Sequence, residues 1–326
     1  MANYRFDEAQ LAPFIASLSK RYQVFAPVRS DVVRLQEVTS GASIDLSENI
    51  YIPPKELFFP QCDPLFHFDG QSMSLPAVAV APRALFGIRR CDLNAIAHQD
   101  ILYCRERRDP SYAARREATV LIGYHCAEPP SPYCFCGSIG LKDCQDLMFV
   151  PRKGYFLVET GSEKGEELAH RFPRYFQPTA EELREGDRRT PGTERLATDK
   201  IAAFFNDERW EEGVRNCLSC GACTTLCPNC YCYEIGDEVE LGNLNRGTRC
   251  RYWSSCQLRE FTRVAGDHIF RNDRSDRFRH RIYHQMEYFR ERYGVTLCTG
   301  CGRCIAYCPT RIDWVDIVNR MVSHAY

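Results

Sequence analysis

The chain has 326 residues, of which 44% are hydrophobic and 26% charged, a composition typical of globular proteins and long enough for two domains. Its formal net charge of −1 excludes a strongly basic nucleic-acid-binding protein, so we expect no nucleic-acid partner. The longest apolar stretch, residues 75–88, is interrupted by two prolines and an arginine, so we expect no membrane span.

The first 190 residues mix short apolar runs with helical patterns, which predicts a mixed α/β domain whose topology the periodicity leaves open. The predicted elements, in chain order, are an amphipathic helix over 1–20, two short strands or one interrupted edge strand over 77–81 and 84–88, a helix over 92–103 and a strand over 118–124. We interpret residues 1–20 as a helix and not as a secretory leader. Together with 19 cysteines, this favours a reducing cytoplasm.

A charged, loop-like segment over 179–198 is the predicted linker between a domain of residues 1–190 and a domain of residues 191–326. Helical patterns flank two cysteine runs in the second domain, which predicts a mainly helical, ferredoxin-like fold. One of these helices carries an apolar stripe that ends at Gly294, and core packing accounts for it. The stripe consists of Phe278, Ile282, Met286, Phe289 and Tyr293. The predicted fold class is therefore α+β.

Two runs with the spacing Cys-x₂-Cys-x₂-Cys-x₃-Cys-Pro match the ligand pattern of two-cluster bacterial ferredoxins. Three thiolates of one run hold one 4Fe-4S cluster, and the fourth reaches the other cluster. Gly221, Gly300 and Gly302 stand between ligands, where the backbone must bend sharply close to the inorganic core. The predicted ligands of cluster 1 are Cys217, Cys220, Cys223 and Cys308. The predicted ligands of cluster 2 are Cys298, Cys301, Cys304 and Cys227.

Zinc and disulfides explain these runs less well than iron and sulfide do. Zinc sites use tetrahedral pairs of Cys or His ligands, and a doubled run of four cysteines followed by proline is not that arrangement. A disulfide framework is improbable for a long chain with an odd number of cysteines and no leader. The runs therefore predict two 4Fe-4S clusters.

The first domain contains a further set of four cysteines, Cys91, Cys126, Cys134 and Cys136. Cys91 and Cys126 closely follow predicted strands, and strand ends at one edge of a sheet are common ligand sites. Cys134 and Cys136 lie in a proline-rich loop, and Cys91 lies at a helix start, where a thiolate is favoured. Spacing alone leaves two interpretations open, a metal site or four small buried hydrophobic side chains.

The remaining cysteines receive less specific interpretations. We interpret Cys62, Cys104, Cys144 and Cys250 as packing residues, and Cys230, Cys232 and Cys256 as residues that line the clusters without binding a fourth one. Twelve arginines lie between Arg246 and Arg292, either as a solvated face or as charges that offset the clusters. Three clusters with four thiolates each would move the formal charge to about −7.

The chain resembles the beta, iron–sulfur subunit of cytoplasmic NiFe hydrogenases of the sulfhydrogenase type, and the related iron–sulfur subunit of anaerobic sulfite reductase. The resemblance covers nearly the whole chain and includes both cysteine runs. Its further motifs are Ile52-Pro-Pro-Lys-Glu-Leu-Phe-Phe59, Phe86-Gly-Ile-Arg-Arg-Cys-Asp92, Tyr133-Cys-Phe-Cys136, Cys227-Pro-Asn-Cys-Tyr-Cys-Tyr233 and Trp253-Ser-Ser-Cys-Gln257. The proline-rich and Tyr-Cys-Phe-Cys motifs favour the hydrogenase type.

This resemblance implies an electron-relay subunit of an oxidoreductase complex without substrate chemistry of its own. It implies a third iron–sulfur cluster at Cys91, Cys126, Cys134 and Cys136. It also implies a partner subunit that binds FAD and NAD(P)H, and a catalytic module that carries nickel–iron or sirohaem. No Gly-x-Gly-x-x-Gly motif follows a predicted strand, so we expect no nucleotide site on this chain.

Three other functions compete with the hydrogenase relay. The first is the same relay role in anaerobic sulfite reductase, and the second is direct reduction of sulfur or a disulfide at a cluster with an open iron. The third is a structural protein that holds zinc in place of iron. Metal analysis distinguishes the zinc protein from the others, and the catalytic partner distinguishes the two relay roles.

Overall fold

The computed structural model describes residues 2–323. Its strands are β1 (Asn3–Asp7), β2 (Gln23–Arg29), β3 (Val33–Glu37), β4 (Cys62–Phe68), β5 (Met73–Ser74), β6 (Arg83–Ile88), β7 (Thr119–Tyr124), β8 (Leu147–Arg152), β9 (Tyr155–Thr160), β10 (Gln177–Pro178), β11 (Tyr233–Glu240) and β12 (Asn243–Trp253). Its α-helices are α1 (Leu11–Leu18), α2 (Arg90–Asp100), α3 (Pro110–Glu117), α4 (Glu163–Arg171), α5 (Trp210–Arg215), α6 (Ala222–Thr225), α7 (Arg274–Tyr283), α8 (Phe289–Tyr293), α9 (Arg303–Ala306) and α10 (Trp314–Ser323).

The described residues divide into two compact units. The first unit comprises Met1–Pro54, Val80–Ala197 and Cys298–Gly302, and the second comprises Lys55–Ala79, Thr198–Leu297 and Arg303–Tyr326, within the described range. The main division, at Ala197, lies close to the end of the predicted linker, but short segments of the chain join the opposite unit. The separation into domains 1–190 and 191–326 stays a prediction.

The first unit is built on an eight-stranded mixed sheet with the order β10-β1-β9-β8-β7-β6-β2-β3. Strands β2, β6, β7 and β8 run parallel, and the outer strands pair antiparallel. Nearly every residue of β6 and β7 is buried, as expected for central parallel strands, which explains their continuous apolar sequences. The predicted α/β character of this part is confirmed.

An aromatic core covers one face of this sheet. Phe6 of β1 lies 5.1 Å from Phe149 of β8 and 5.3 Å from Phe14 of α1, measured between ring centroids. These rings meet edge to face, the arrangement that aromatic quadrupoles favour. All three side chains are fully buried. The core therefore holds α1 on the sheet.

Three predicted elements of the first unit need correction. The helix predicted over 1–20 is wrong at its start, because β1 occupies Asn3–Asp7 and the helix α1 begins at Leu11. The alternation of buried Tyr4 and Phe6 with more exposed neighbours is a strand pattern of period two. Residues 77–81 form no strand, and β6 lies between β7 and β2, so it is not an edge strand.

The second unit combines helices with a four-stranded antiparallel sheet of order β11-β12-β4-β5. The mainly helical character predicted for residues 191–326 is not confirmed, because the long hairpin of β11 and β12 occupies part of them. Strand β11 is exposed at seven of its eight residues, so it has no buried apolar face that a sequence pattern would reveal.

The predicted apolar stripe is confirmed as core packing. It follows α7, a π-helical turn over His284–Tyr288 and α8, and Phe278, Ile282, Met286 and Phe289 are buried. Gly294 ends α8 at φ +73°, as predicted for a residue that follows a helix. The π-helical turn was not predicted. No helix within residues 2–323 is both long and apolar enough to cross a bilayer.

Candidate metal centres

A cavity of the second unit is lined by all four predicted ligands of cluster 1. These are Cys217, Cys220, Cys223 and Cys308, and Cys304 also lies in the wall. The loop that carries the first three bends sharply, with Ser219 at φ +51° and Gly221 at φ +79°. The N–H of Ser219 donates to Cys217 Sγ over 3.4 Å. The bend at Gly221 agrees with the prediction from the sequence, and it turns the thiols of this short loop toward the cavity.

Arg281 of α7 supplies positive charge to the wall of this cavity. It is buried, and its Nη2 donates to the carbonyl oxygen of Cys223 over 2.8 Å. Its buried Nε–H has no hydrogen-bond partner among the described residues. An unsatisfied buried donor is costly, and sulfur acceptors bound in the cavity would satisfy it. The wall therefore fits an anionic, sulfur-rich group.

The thiol of Cys223 must lose its proton before it can bind a metal. Burial raises the pKa of Cys223 to about 12, although the charge of Arg281 opposes this rise. A thiol with this pKa is protonated at neutral pH, so a bound metal must displace its proton. Metal binding at Cys223 therefore releases a proton.

The width of the site argues against a single zinc ion. Within the described residues, no three of these cysteine sulfurs lie within 4.8 Å of one another. Zinc binds sulfur at about 2.3 Å, which places two tetrahedral ligands about 3.8 Å apart. The four thiols therefore do not form the compact group that a single tetrahedral ion requires.

A second cavity, in the first unit, has a volume of about 380 Å³ and contains the third predicted set in its wall. The set is Cys91, Cys126, Cys134 and Cys136, and Cys301 joins them. Cys91 is in the first turn of α2, directly after β6, and Cys126 follows β7 by two residues. The carboxyl ends of these two parallel strands lie at one edge of the sheet, as the sequence predicted.

Basic and amide side chains complete the wall of this second cavity. Arg89 donates through Nη1 to Cys126 Sγ over 3.4 Å, and Asn49 donates through Nδ2 to Cys134 Sγ over 3.8 Å. Arg90 pairs with Asp143, but its Nε and Nη2 are buried without hydrogen-bond partners among residues 2–323. The free donors and positive charge again fit an anionic sulfur cluster.

The second cysteine run passes directly beside this cavity. The N–H of Phe135 donates to the carbonyl oxygen of Gly300 over 2.8 Å. Gly300 and Gly302 have φ values of +66° and +72°, as predicted for bends between ligands. A Cβ atom at Gly300 would lie 2.5 Å from the Cα of Cys136, so this contact requires glycine.

The predicted ligands of cluster 2 are divided between the units. Cys298 and Cys301 belong to the first unit, and Cys304 and Cys227 belong to the second. The N–H of Gly300 donates to Cys298 Sγ over 3.4 Å. The assignment of these four cysteines to one cluster stays a prediction.

Cys230, Cys232 and Cys256 lie in a buried polar region of the second unit. Gln285 bridges two neighbouring thiols: its Oε1 accepts from Cys227 Sγ over 3.9 Å, and its Nε2 donates to Cys230 Sγ over 3.6 Å. Lys55 is buried beside them, with Nζ donating to the carbonyl oxygens of Cys230 over 3.0 Å and Thr224 over 3.2 Å. Burial lowers the pKa of Lys55, and the neighbouring cysteines oppose this effect.

Several of these residues were missed by sequence reasoning. Lys55 and Asn49 approach cysteines from positions more than 80 residues away in the chain, and no local spacing predicts such contacts. Arg281 is one of twelve arginines between Arg246 and Arg292, and the composition of this segment does not distinguish it from the others. In the sequence it follows Phe278 by three residues, which places it on the apolar face of the predicted helix, and that spacing was the signal available.

Comparison with known proteins agrees with this geometry. Residues 216–312 match the family model described as a 4Fe-4S dicluster domain, so the chain is an iron–sulfur protein. It is also 33% identical over 325 residues to sulfhydrogenase 2 subunit beta of Pyrococcus furiosus, a match that covers 94% of this chain and 95% of that protein. The chain belongs to the family of sulfhydrogenase beta subunits, which are iron–sulfur electron-transfer subunits. The resemblance inferred from the motifs is confirmed.

Proposed function

We propose that this chain is the electron relay of a multi-subunit hydrogenase of the sulfhydrogenase type. It passes single electrons between a partner subunit that binds FAD and NAD(P)H and a NiFe catalytic module. The observation that carries the proposal is the pair of cysteine-lined cavities, each with buried arginine N–H groups that have no acceptor within residues 2–323. We place the protein in the cytoplasm, where thiols stay reduced.

Three iron–sulfur clusters are assigned in this proposal. Cluster 1 belongs to Cys217, Cys220, Cys223 and Cys308, cluster 2 to Cys298, Cys301, Cys304 and Cys227, and cluster 3 to Cys91, Cys126, Cys134 and Cys136. When bound, each cluster accepts and releases one electron at a time without binding a substrate. The chain supplies the sulfur ligands, of which Cys91, Cys134, Cys227 and Cys301 are buried and Cys220 is exposed.

The arginines set the electrostatic environment of the first and third sites. A cluster in the 2+ state with four thiolates carries a charge of −2, which is costly to bury without compensation. Arg281 at the first site, and Arg89 and Arg90 at the third, supply that compensation. Nearby positive charge also stabilises the reduced state, so we expect these residues to raise the cluster potentials.

The hydrogenase role is favoured over the sulfite reductase role because the Pyrococcus relative is a sulfhydrogenase subunit. Direct reduction of sulfur would need an iron with an open position, and each assigned cluster has four thiolates. We therefore assign substrate reduction to the partner module.

Purification of the native complex tests the proposal. We expect nickel and flavin in polypeptides other than this chain, and no sirohaem. We also expect that NAD(P)H reduces the clusters of the complete complex but not those of this chain alone. Sirohaem in the complex, or NAD(P)H oxidation by the isolated chain, would contradict the proposal.

A further inference from the structure

Three metal-binding atoms converge on the sheet of the second unit, among residues that no cluster uses. They are Cys62 Sγ, Cys250 Sγ and a carboxylate oxygen of Glu238, and all three lie within 4.8 Å of one another. Within the described range this is the one group of three or more such residues compact enough for a single ion. From the sequence, both cysteines were interpreted as packing residues.

Each of the three donors comes from a different strand. Cys62 begins β4 and lies opposite Tyr252 of β12, and Cys250 lies opposite Gly236 of β11. The aromatic ring of Tyr252 packs against Gly236, where a Cβ atom would lie 3.2 Å from the ring. Glu238, two residues beyond Gly236 on β11, points to the same face of the sheet. Neighbouring strands thus bring the three donors together.

A β-bulge marks the same position. The register of β12 against β4 shifts between Arg249 and Cys250. Bulges re-aim a side chain and are common next to functional sites. The register shift is an observation separate from the distances between the three donor atoms. It occurs at Cys250, whose buried Sγ belongs to the group.

The surroundings resemble an ion site that opens to solvent on one side. Cys250 is 1% exposed, while Cys62 and Glu238 are exposed. Tyr252 donates its hydroxyl hydrogen to Glu238 Oε1 over 2.6 Å, which orients the carboxylate. Such outer hydrogen bonds fix the ligands of metal sites. The open side leaves room for a water molecule as a fourth ligand.

A zinc ion fits this donor set better than the alternatives. Two thiolates select zinc-like ions over magnesium or calcium, which prefer oxygen ligands. Tetrahedral zinc places its sulfur ligands about 3.8 Å apart, within the observed limit. Cys62 and Cys250 are diagonal and not directly opposite, since Cys250 pairs with Pro64. Diagonal positions are about 7–8 Å apart, which is longer than most disulfides allow.

We propose that Cys62, Cys250 and Glu238 form a binding site for Zn²⁺ or a similar thiophilic divalent cation on the second unit. Both thiols lose their protons to solvent when the ion binds. The bound ion links β4, β12 and β11, and therefore stabilises the sheet. This inference does not depend on the proposed relay function.

Zinc binding to the full-length, anaerobically prepared holoprotein tests this inference. The protein is dialysed at fixed free zinc concentrations, and zinc and iron are measured in the same sample by mass spectrometry. We expect the wild type to hold one zinc per chain more than Cys62→Ser, with iron equal in both. We also expect Cys62→Ser to need more than about tenfold higher free zinc for half occupancy.

Two further variants keep the test informative. Cys62 is exposed, so its substitution leaves the packing intact, whereas a change at Cys250 would also disturb the core. Cys104→Ser is the matched control, since this half-buried thiol belongs to no predicted metal site, and it should retain the zinc. Tyr252→Phe should weaken zinc binding about tenfold. Equal zinc in wild type and Cys62→Ser, or a disulfide between Cys62 and Cys250 in zinc-free protein, would overturn the proposal.

Discussion

Replacement of Arg281 by glutamine is expected to lower the reduction potential of cluster 1. The substitution removes a buried positive charge from the wall of the cluster cavity and leaves the cysteines in place. Positive charge stabilises the extra electron of the reduced cluster, so its loss favours the oxidised state. The direction of the shift is therefore fixed by the sign of the charge.

The magnitude follows from Coulomb's law. Arg281 reaches the backbone carbonyl of Cys223 over 2.8 Å, which places its charge close to the thiol of the same residue. At about 6 Å and an effective dielectric constant of about 20, one charge contributes about 3 kcal/mol, or about 120 mV for one electron. Solvent near the exposed Cys220 screens part of this interaction, so we expect a fall of roughly 50–120 mV.

A redox titration followed by electron paramagnetic resonance measures this shift in the holoprotein. Arg274→Gln is the matched control, because this exposed arginine lies on the same helix and the charge change is the same. Its potential should stay close to that of the wild type. The reasoning would be refuted if Arg281→Gln kept its full iron content and shifted no more than Arg274→Gln.

Four further changes probe the sites and the fold. Cys220→Ser should remove about four irons and lower the unfolding temperature, because cluster binding is coupled to folding; retention of all iron would contradict the assignment of cluster 1. Cys134→Ser should remove a similar amount from cluster 3 while the spectra of the other clusters persist. Gly300→Ala should lower the unfolding free energy by more than the roughly 1–2 kcal/mol typical of alanine at positive φ, as measured by chemical denaturation. Gly192 also has a positive φ but lies in open space, so Gly192→Ala should lower the unfolding free energy by only about 1–2 kcal/mol. Burial, with Arg271 and His284 nearby, lowers the pKa of His280 to about 4 in the folded state, so the unfolded state binds more protons below about pH 6.5. Lowering the pH from 7.5 to 5.5 should therefore reduce the unfolding free energy of the wild type by about 1 kcal/mol more than that of His280→Gln.

The grouping of the candidate ligands around common cavities was predictable where the cysteines lie close together in sequence or follow neighbouring strands. Cys217, Cys220 and Cys223 occupy one short loop, so their spacing alone predicts a shared site. Cys91 and Cys126 were predicted to lie close together because each follows an apolar strand, and parallel strands end at one edge of a sheet. In both cases the spacing of the cysteines, or of the strands that they follow, along the chain indicates that their side chains lie close together.

Contacts between residues that are distant in sequence could not be predicted from the spacing of residues along the chain. Lys55 meets Cys230 across 175 residues, and nothing in the spacing of either residue indicates this contact. Cys62 and Cys250 approach each other only because β4 pairs with β12, and the hairpin of β11 and β12 has no apolar alternation that predicts it. Their interpretation as packing residues was therefore the default for isolated cysteines.

The most direct test of the central claim is the iron and acid-labile sulfide content of the chain, purified anaerobically and reconstituted. Two 4Fe-4S clusters and a third iron–sulfur cluster predict more than eight irons per polypeptide, and about twelve irons and twelve sulfides when the third cluster is also of the 4Fe-4S type. Fewer than about eight irons would contradict the assignment of clusters to these cysteines, because two clusters already require that number.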